Sequence, residues 1–134
     1  MHPQIRAALA VLAGVIAGGV AIAVIEMLSP YHPPAGICLT DKEAFGAWVA
    51  TLPARAFVLL LLAYFVGSAI GGYVTNWVAQ TTPYRPALFT GLVLFVVGLM
   101  HLVTVPHPVW FAVVSSLLYF AGAWVGGRTF GVVG

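Results

Sequence analysis

Residues 7–28 read AALAVLAGVIAGGVAIAVIEML, and this stretch decides the fold of the chain. It carries no charge before Glu26 and consists mostly of Ala, Val, Ile, Leu and Gly. A helix needs about 20 such residues to cross a hydrocarbon core about 30 Å thick. The stretch therefore predicts a membrane-spanning helix, since its apolar run also exceeds that of a cleaved signal peptide.

Two further stretches, residues 56–84 and 86–127, are also uncharged. The second is about twice too long for one span. It divides at Pro106-His107-Pro108, because each proline removes a backbone donor and restricts the residue before it. The runs are continuously apolar rather than alternating, which favours helices over a β-barrel. We predict an all-α integral membrane protein forming a single domain, residues 1–134, with four transmembrane helices at residues 7–28, 56–79, 87–105 and 109–127.

The composition supports this class of protein. Hydrophobic residues make up 62% of the 134 residues and charged residues only 6%, whereas soluble domains carry roughly 25% charged residues. This excludes a water-soluble monomer, whose surface needs far more polar groups. The formal net charge is only +2, and no basic cluster indicates nucleic-acid binding.

The basic residues predict an orientation for the four spans. Arg6, Arg85 and Arg128 fall on the side of the two termini, whereas Lys42 and Arg55 fall on the other side. Short loops with more Lys and Arg face the cytoplasm. We therefore expect both termini to be cytoplasmic and the long first loop to face outward.

The first loop, residues 29–55, is the only substantial polar stretch. Thr40-Asp41-Lys42-Glu43 fits a capping box at the start of a helix. One apolar stripe with helical spacing follows, formed by Phe45, Trp48, Val49 and Leu52. The pattern predicts a short amphipathic helix in the outer membrane interface. Such a helix either anchors the loop, which we favour, or forms a lid over an outward-facing cavity.

Three of the four spans share the pattern Gly-x-x-x-Gly-Gly. Its copies are Gly14, Gly18 and Gly19, then Gly67, Gly71 and Gly72, then Gly122, Gly126 and Gly127. The third span has Gly91 and Gly98 on one face instead. Small residues four apart allow membrane helices to approach closely. The pattern indicates close helix packing, either within one chain, which we favour, or along the seam of a homodimer.

The ionisable residues within and beside the spans define a candidate polar site. Glu26 lies about one turn from the outer end of the first span, and His101 has a similar place in the third. His32 and His107 belong to the adjoining outer loops. Burial of such groups is costly, which makes them candidates for proton relay, titration or metal binding. The competing interpretation is structural, with Glu26 reaching the interface and the histidines bonding to helix carbonyls.

The spacing of these groups assigns no catalytic residue, metal or cofactor. A divalent metal needs three or four converging ligands, and neither His-x-x-x-His nor Glu-x-x-His occurs. A catalytic serine needs a base and an oxyanion site, which the sequence does not indicate. We expect the other polar residues inside the spans to form hydrogen bonds between helices; they are Thr75, Asn76, Thr90, Ser115 and Ser116.

The order of several short motifs completes the pattern. Ile25-Glu26 is followed by Tyr-x-Pro-Pro-Ala-Gly from Tyr31, by Thr-Leu-Pro from Thr51, by Pro-x-Pro-x-Trp from Pro106, and by a closing Gly-Gly-Arg. In this respect the chain resembles a group of small four-helix bacterial membrane proteins usually called hypothetical. The resemblance implies the four-span topology and a bacterial inner-membrane location, and it supplies no activity or site.

Three functions are compatible with these features. The first is a structural or accessory protein that assembles with itself or with a larger membrane complex through its glycine-rich faces. The second is a small transporter or channel that uses Glu26 and His101 near an outward-facing cavity. The third is an intramembrane enzyme or cofactor binder with His101 or His107 as a ligand. We rank them in this order, and the lipid bilayer is a partner in each.

Overall fold

The computed structural model describes residues 2–30, 42–79, 85–104 and 109–133, and every regular element within them is a helix. The helices are α1 (Pro3–Leu28), α2 (Lys42–Ala50), α3 (Ala54–Ala79), α4 (Arg85–Thr104) and α5 (Val109–Val133). The prediction of an all-α protein is confirmed.

Three helices are long and apolar enough to cross a membrane, namely Gln4–Leu28, Ala54–Ala79 and Val109–Thr129. By length and composition the chain is therefore a multi-pass membrane protein. The apolar part of α4, Pro86–Met100, is shorter.

The outermost helix ends differ from the prediction. α1 begins at Pro3 rather than at residue 7, because His2 caps it: the His2 Nδ1 atom accepts a hydrogen bond from the Gln4 amide at 3.1 Å. Proline suits the first helical position, where no amide donor is needed. α5 continues beyond Gly127 to Val133, because paired glycines inside a packed membrane helix do not end it.

The four long helices form an up-and-down bundle in which α3 and α4 each contact the other three. The beginnings of α1 and α4 and the ends of α3 and α5 lie together, and we call this the terminal end. The opposite end contains the ring contacts of Phe57, Trp110 and Phe111, and we call it the aromatic end.

The helix α2 lies at the aromatic end. Its Val49 is only 4% exposed and is buried in one cluster with Phe57, Tyr64 and Phe111. Trp48 and the following Leu52 are partly buried against the same cluster. The apolar stripe expected in the first loop therefore packs on the bundle. The side chain of Phe45 lies outside the described residues, as do Thr40 and Asp41 of the expected capping box.

Candidate functional site

Glu26 belongs to a row of residues on α1 that faces α3. The row has a spacing of four residues, which keeps side chains on one helix face. A Cβ added to Gly14 would lie 2.6 Å from the Gly71 carbonyl oxygen, and one added to Gly18 would lie 2.8 Å from that of Gly67. Ile22 is next in the row and contacts Gly67. Glu26 follows one turn later and is half-buried.

Two buried tyrosines lie within electrostatic range of the Glu26 carboxylate. They are Tyr64 on α3 and Tyr119 on α5, which are 8% and 5% exposed. Their rings stack with centroids 5.2 Å apart and an interplanar angle of 25°. One half-buried carboxyl group thus lies within electrostatic range of two buried phenol groups, each of the three on a different helix.

The fourth long helix contributes space to this group. A Cβ added to Gly98 of α4 would lie 2.8 Å from the Tyr119 Cζ atom and closer still to its hydroxyl. Any larger residue at position 98 would displace the tyrosine. Gly98 is therefore the residue that admits the Tyr119 hydroxyl, and we call Glu26, Tyr64, Gly98 and Tyr119 the Glu–Tyr site.

Aromatic rings continue from the Glu–Tyr site toward the aromatic end. The Phe111 ring lies 6.0 Å from that of Tyr64 and 5.4 Å from that of Phe57. Phe57 in turn meets Trp110 edge to face at 6.0 Å. Edge-to-face and tilted ring pairs have preferred geometries, so they fix the positions of these rings. Val49 of α2 packs on the same rings.

For the histidines of the predicted polar site, the structure describes only the backbone of His101. The backbone of His101 lies on α4, one helical turn beyond Gly98, and its side chain is outside the described part of the chain. His32 and His107 are outside it altogether. Among the described residues, no group of three or more His, Cys, Asp or Glu side chains is arranged to hold a metal ion.

A second polar layer lies near the terminal end. Thr75 and Thr90 share a hydrogen bond of 2.5 Å between their hydroxyl oxygens, which joins α3 to α4. Asn76 Nδ2 donates to the Gly127 carbonyl at 3.2 Å and so joins α3 to α5. All three side chains are fully buried. These are hydrogen bonds between helices, as expected for Thr75, Asn76 and Thr90.

The serines of α5 bond within their own helix instead. Ser115 and Ser116 both donate to the Ala112 carbonyl, at 3.2 and 2.7 Å. The prediction that these two serines form hydrogen bonds between helices is therefore wrong for the bonds observed. A hydroxyl three or four residues beyond a carbonyl reaches it without any partner helix.

Close helix contacts at the glycines separate the Glu–Tyr site from the second polar layer. Ten of the eleven glycines singled out in the sequence would place a Cβ within 3 Å of an atom of another helix. At Gly72 and Gly126 the obstructing atoms are backbone atoms of Ala123 and Ala69. Gly19 differs, since no atom of the described residues lies within 4 Å of its Cβ position. These faces are occupied within one chain.

Two buried polar atoms have no hydrogen-bond partner among the described residues, Ser68 Oγ and Asn76 Oδ1. Ser68 lies one turn from Tyr64 on α3, against Gly122 of α5. Buried polar groups without a partner are costly and uncommon in native proteins. Ser68 thus extends the polar character of the Glu–Tyr site by one turn.

The sequence interpretation included Glu26 and missed Tyr64 and Tyr119. Both tyrosines could have been noticed from their positions well inside the predicted spans, because a phenol within a membrane requires a polar partner. The spacing within each helix gives no information about which helices are neighbours. Comparison with protein families, with curated proteins and with solved structures found no match for this chain.

Proposed function

We propose that the chain is a four-span protein of the bacterial inner membrane with cytoplasmic termini. In this proposal α4 is the fourth span, since its 20 residues correspond to about 30 Å of helix. Its contacts with α1, α3 and α5 support this role. α2 then lies in the outer interface, and the terminal end, with Arg6, Arg85 and Arg128, faces the cytoplasm.

We propose further that this protein is a small transporter or channel that conducts protons, and that Glu26 is its proton-binding residue. The observation that carries this proposal is the half-buried Glu26 carboxyl within electrostatic range of the buried Tyr64 and Tyr119. Ionisable residues that face the interior of a membrane bundle mark ion and proton pathways. The sequence ranks this function second of three, and the two nearby tyrosines now favour it.

The chemistry of the Glu–Tyr site suits reversible binding of a proton or a small cation. A carboxylate accepts hydrogen bonds from phenol O–H groups, and a protonated carboxyl donates to the phenol oxygen. In this proposal Tyr64 and Tyr119, which lie within electrostatic range of Glu26, supply these hydrogen-bond partners. The proposal also assigns His101, whose backbone lies on α4 one turn beyond Gly98, as a second titratable residue.

In this proposal the glycine contacts form the closed side of the transporter. They leave no space between the backbones of α1 and α3 or of α3 and α5 near the middle of the bundle. Access to the Glu–Tyr site is then from the aromatic end, past the packed rings of Phe111 and Phe57, and α2 acts as the lid. Access from the terminal end requires the helices to separate at the glycines.

The test is proton flux into liposomes that contain the purified protein and a trapped pH-sensitive dye. Under a potassium diffusion potential we expect flux well above that of empty liposomes. E26Q, which keeps the shape of the side chain and removes its proton exchange, should reduce the flux at least tenfold. E43Q is the control, because it removes an exposed acid of α2.

Equal flux in the wild type, E26Q and empty liposomes would exclude the transporter proposal. A thermal unfolding scan of each variant separates lost function from lost fold. We expect Y119F to unfold like the wild type and to show reduced flux, because it keeps the ring and removes the hydroxyl.

A second candidate is the structural or accessory role. The glycine faces are already occupied inside the bundle, so association requires another face. α1 offers one, since it carries an exposed apolar stripe with helical spacing: Ile5, Leu9, Leu12, Ile16 and Val20. We propose this stripe as the contact with a second copy or with a larger membrane complex.

Disulfide cross-linking in native membranes tests the second candidate. In a chain whose Cys38 is replaced by Ser, L12C should form a cross-linked species, whereas L117C on α5 should not. Leu117 is the matched control, because it is an exposed leucine of another span. Equal cross-linking at both positions, or at neither, would count against the stripe. The enzyme or cofactor-binding alternative depends on His101 or His107, whose side chains lie outside the described residues.

A further inference from the structure

One row of residues on α3 follows the seam between α3 and α5. A spacing of four residues keeps its members on one helix face, and they are Tyr64, Ser68, Gly72 and Asn76. Their neighbours on α5 are, in the same order, Tyr119, Gly122, Ala123 and Gly127. We call these four residues of α3 the α3 row. It connects the Glu–Tyr site with the second polar layer near the terminal end.

The α3 row contains both of the buried polar atoms that have no hydrogen-bond partner among the described residues. They are Ser68 Oγ and Asn76 Oδ1, and both side chains are 0% exposed. The other buried polar side chains in the described part of the chain each make a hydrogen bond, namely Thr75, Thr90 and Ser115. An apolar side chain would pack at Ser68 without the cost of an unpaired hydroxyl. The position of both atoms in one row therefore indicates a polar role for the row beyond packing.

We propose that the α3 row holds waters at Ser68 and Asn76, and that these waters conduct protons between the Glu–Tyr site and the terminal end. This inference rests on the proposed function, since it names the path of the proton that Glu26 binds. Buried waters bond to polar groups that otherwise lack a partner. The Ser68 hydroxyl accepts a proton from one neighbouring oxygen as it releases its own to the next, so no charge remains on it. Asn76 Oδ1 only accepts hydrogen bonds, so it orients a water and exchanges no proton.

Gly72 is the point at which this path is closed. It lies midway between Ser68 and Asn76, which are eight residues apart and therefore about 12 Å apart along the helix. That separation is several times the length of a hydrogen bond. The Ala123 backbone occupies the space beside Gly72, since an added Cβ would lie 3.0 Å from both its Cα and its carbonyl carbon. Protons therefore pass only when α3 and α5 separate enough at Gly72 to admit water.

Proton flux into liposomes, measured as for E26Q, tests this path. S68A removes only a hydroxyl, and we expect it to reduce the flux about tenfold, the effect of one lost hydrogen bond on a barrier. It should unfold at the wild-type temperature or above, because this hydroxyl has no partner among the described residues. S116A is the matched control and should keep the wild-type flux, since its hydroxyl donates to the Ala112 carbonyl of its own helix.

The outcomes separate this inference from the function on which it rests. Flux that falls in E26Q but not in S68A would overturn the path and retain the transport proposal, whereas absence of flux in the wild type would overturn both.

X-ray footprinting gives a second readout that is independent of flux. Hydroxyl radicals formed from water at Ser68 should oxidise Tyr64, although that side chain is only 8% exposed. S68A should lower this oxidation and S116A should not. Equal oxidation of Tyr64 in the wild type and S68A would show that Ser68 holds no water.

Discussion

Gly72 and Gly19 serve different purposes although both lie in apolar helices. A Cβ on Gly72 would collide with the carbonyl oxygen of Ala123 and lie 3.0 Å from its carbonyl carbon. These obstructing atoms belong to the α5 backbone, so no rotamer change relieves the collision. Gly19 has open space at the same position among the described residues. At the scale of one residue, this difference determines which glycine is required.

We therefore predict opposite results for the same substitution at these two positions. G72A should destabilise the protein by about 1–3 kcal/mol, as overpacking does. G19A should leave stability unchanged or raise it by up to about 1 kcal/mol, because alanine is the better helix former. Reversible unfolding in mixed detergent micelles measures both values. Equal stability of the two variants would show that α3 and α5 do not approach at Gly72.

Asn76 makes fewer hydrogen bonds among the described residues than Thr75 and Thr90 beside it. Its Nδ2 atom donates to Gly127, whereas its Oδ1 atom has no partner among the described residues. Thr75 and Thr90 satisfy one another. Because only the amide nitrogen has a partner, this one hydrogen bond sets the orientation of the Asn76 side chain. The contact of Asn76 with α5 therefore depends on one hydrogen bond and on the absence of a side chain at Gly127.

At the scale of the element, α2 differs from the four long helices. It has nine residues, too few to be stable alone in water, and Val49 is its buried attachment to the aromatic cluster. α2 therefore depends on packing against the bundle for its position. An element of this kind opens at a lower free energy than the helices it covers.

This dependence gives a prediction for V49A. Removing two buried methyl groups costs about 1.6 kcal/mol at about 0.8 kcal/mol per group. Amide hydrogen exchange in α2 should then be about tenfold faster or more, and exchange in α3 should be unchanged. Mass spectrometry of peptides from the two helices measures both. A47S, at an exposed position of α2, should exchange at the wild-type rate, and unchanged exchange in V49A would show that Val49 does not hold α2 in place.

At the scale of the whole molecule, the distribution of charge in the sequence predicts most of the architecture. The uncharged stretches locate the four long helices, and the prolines at 106 and 108 locate the break before α5. The capping pattern before Phe45 locates α2. These features are local, and a hydrophobic stretch determines its own helix without reference to its neighbours.

The arrangement of the helices is not local and could not be predicted in the same way. Tyr64 and Tyr119 stack although 55 positions separate their numbers in the chain. Gly14 meets Gly71, and Gly72 meets Ala123. Each contact depends on which helix faces which, and the Gly-x-x-x-Gly-Gly pattern fits several arrangements equally well. The Glu–Tyr site is therefore visible only in part from sequence, through Glu26 alone.

The close contact of Gly14 and Gly18 with α3 also has a mechanical consequence. The backbones already touch there, so this region acts as the pivot for any tilt of α1. Glu26 lies about 18 Å along the helix from Gly14, at 1.5 Å per residue. A tilt of about ten degrees around the pivot moves Glu26 by about 3 Å, while Gly14 scarcely moves. A tilt of α1 can therefore move its only acid, near the end of the helix, without breaking the contact at the glycines.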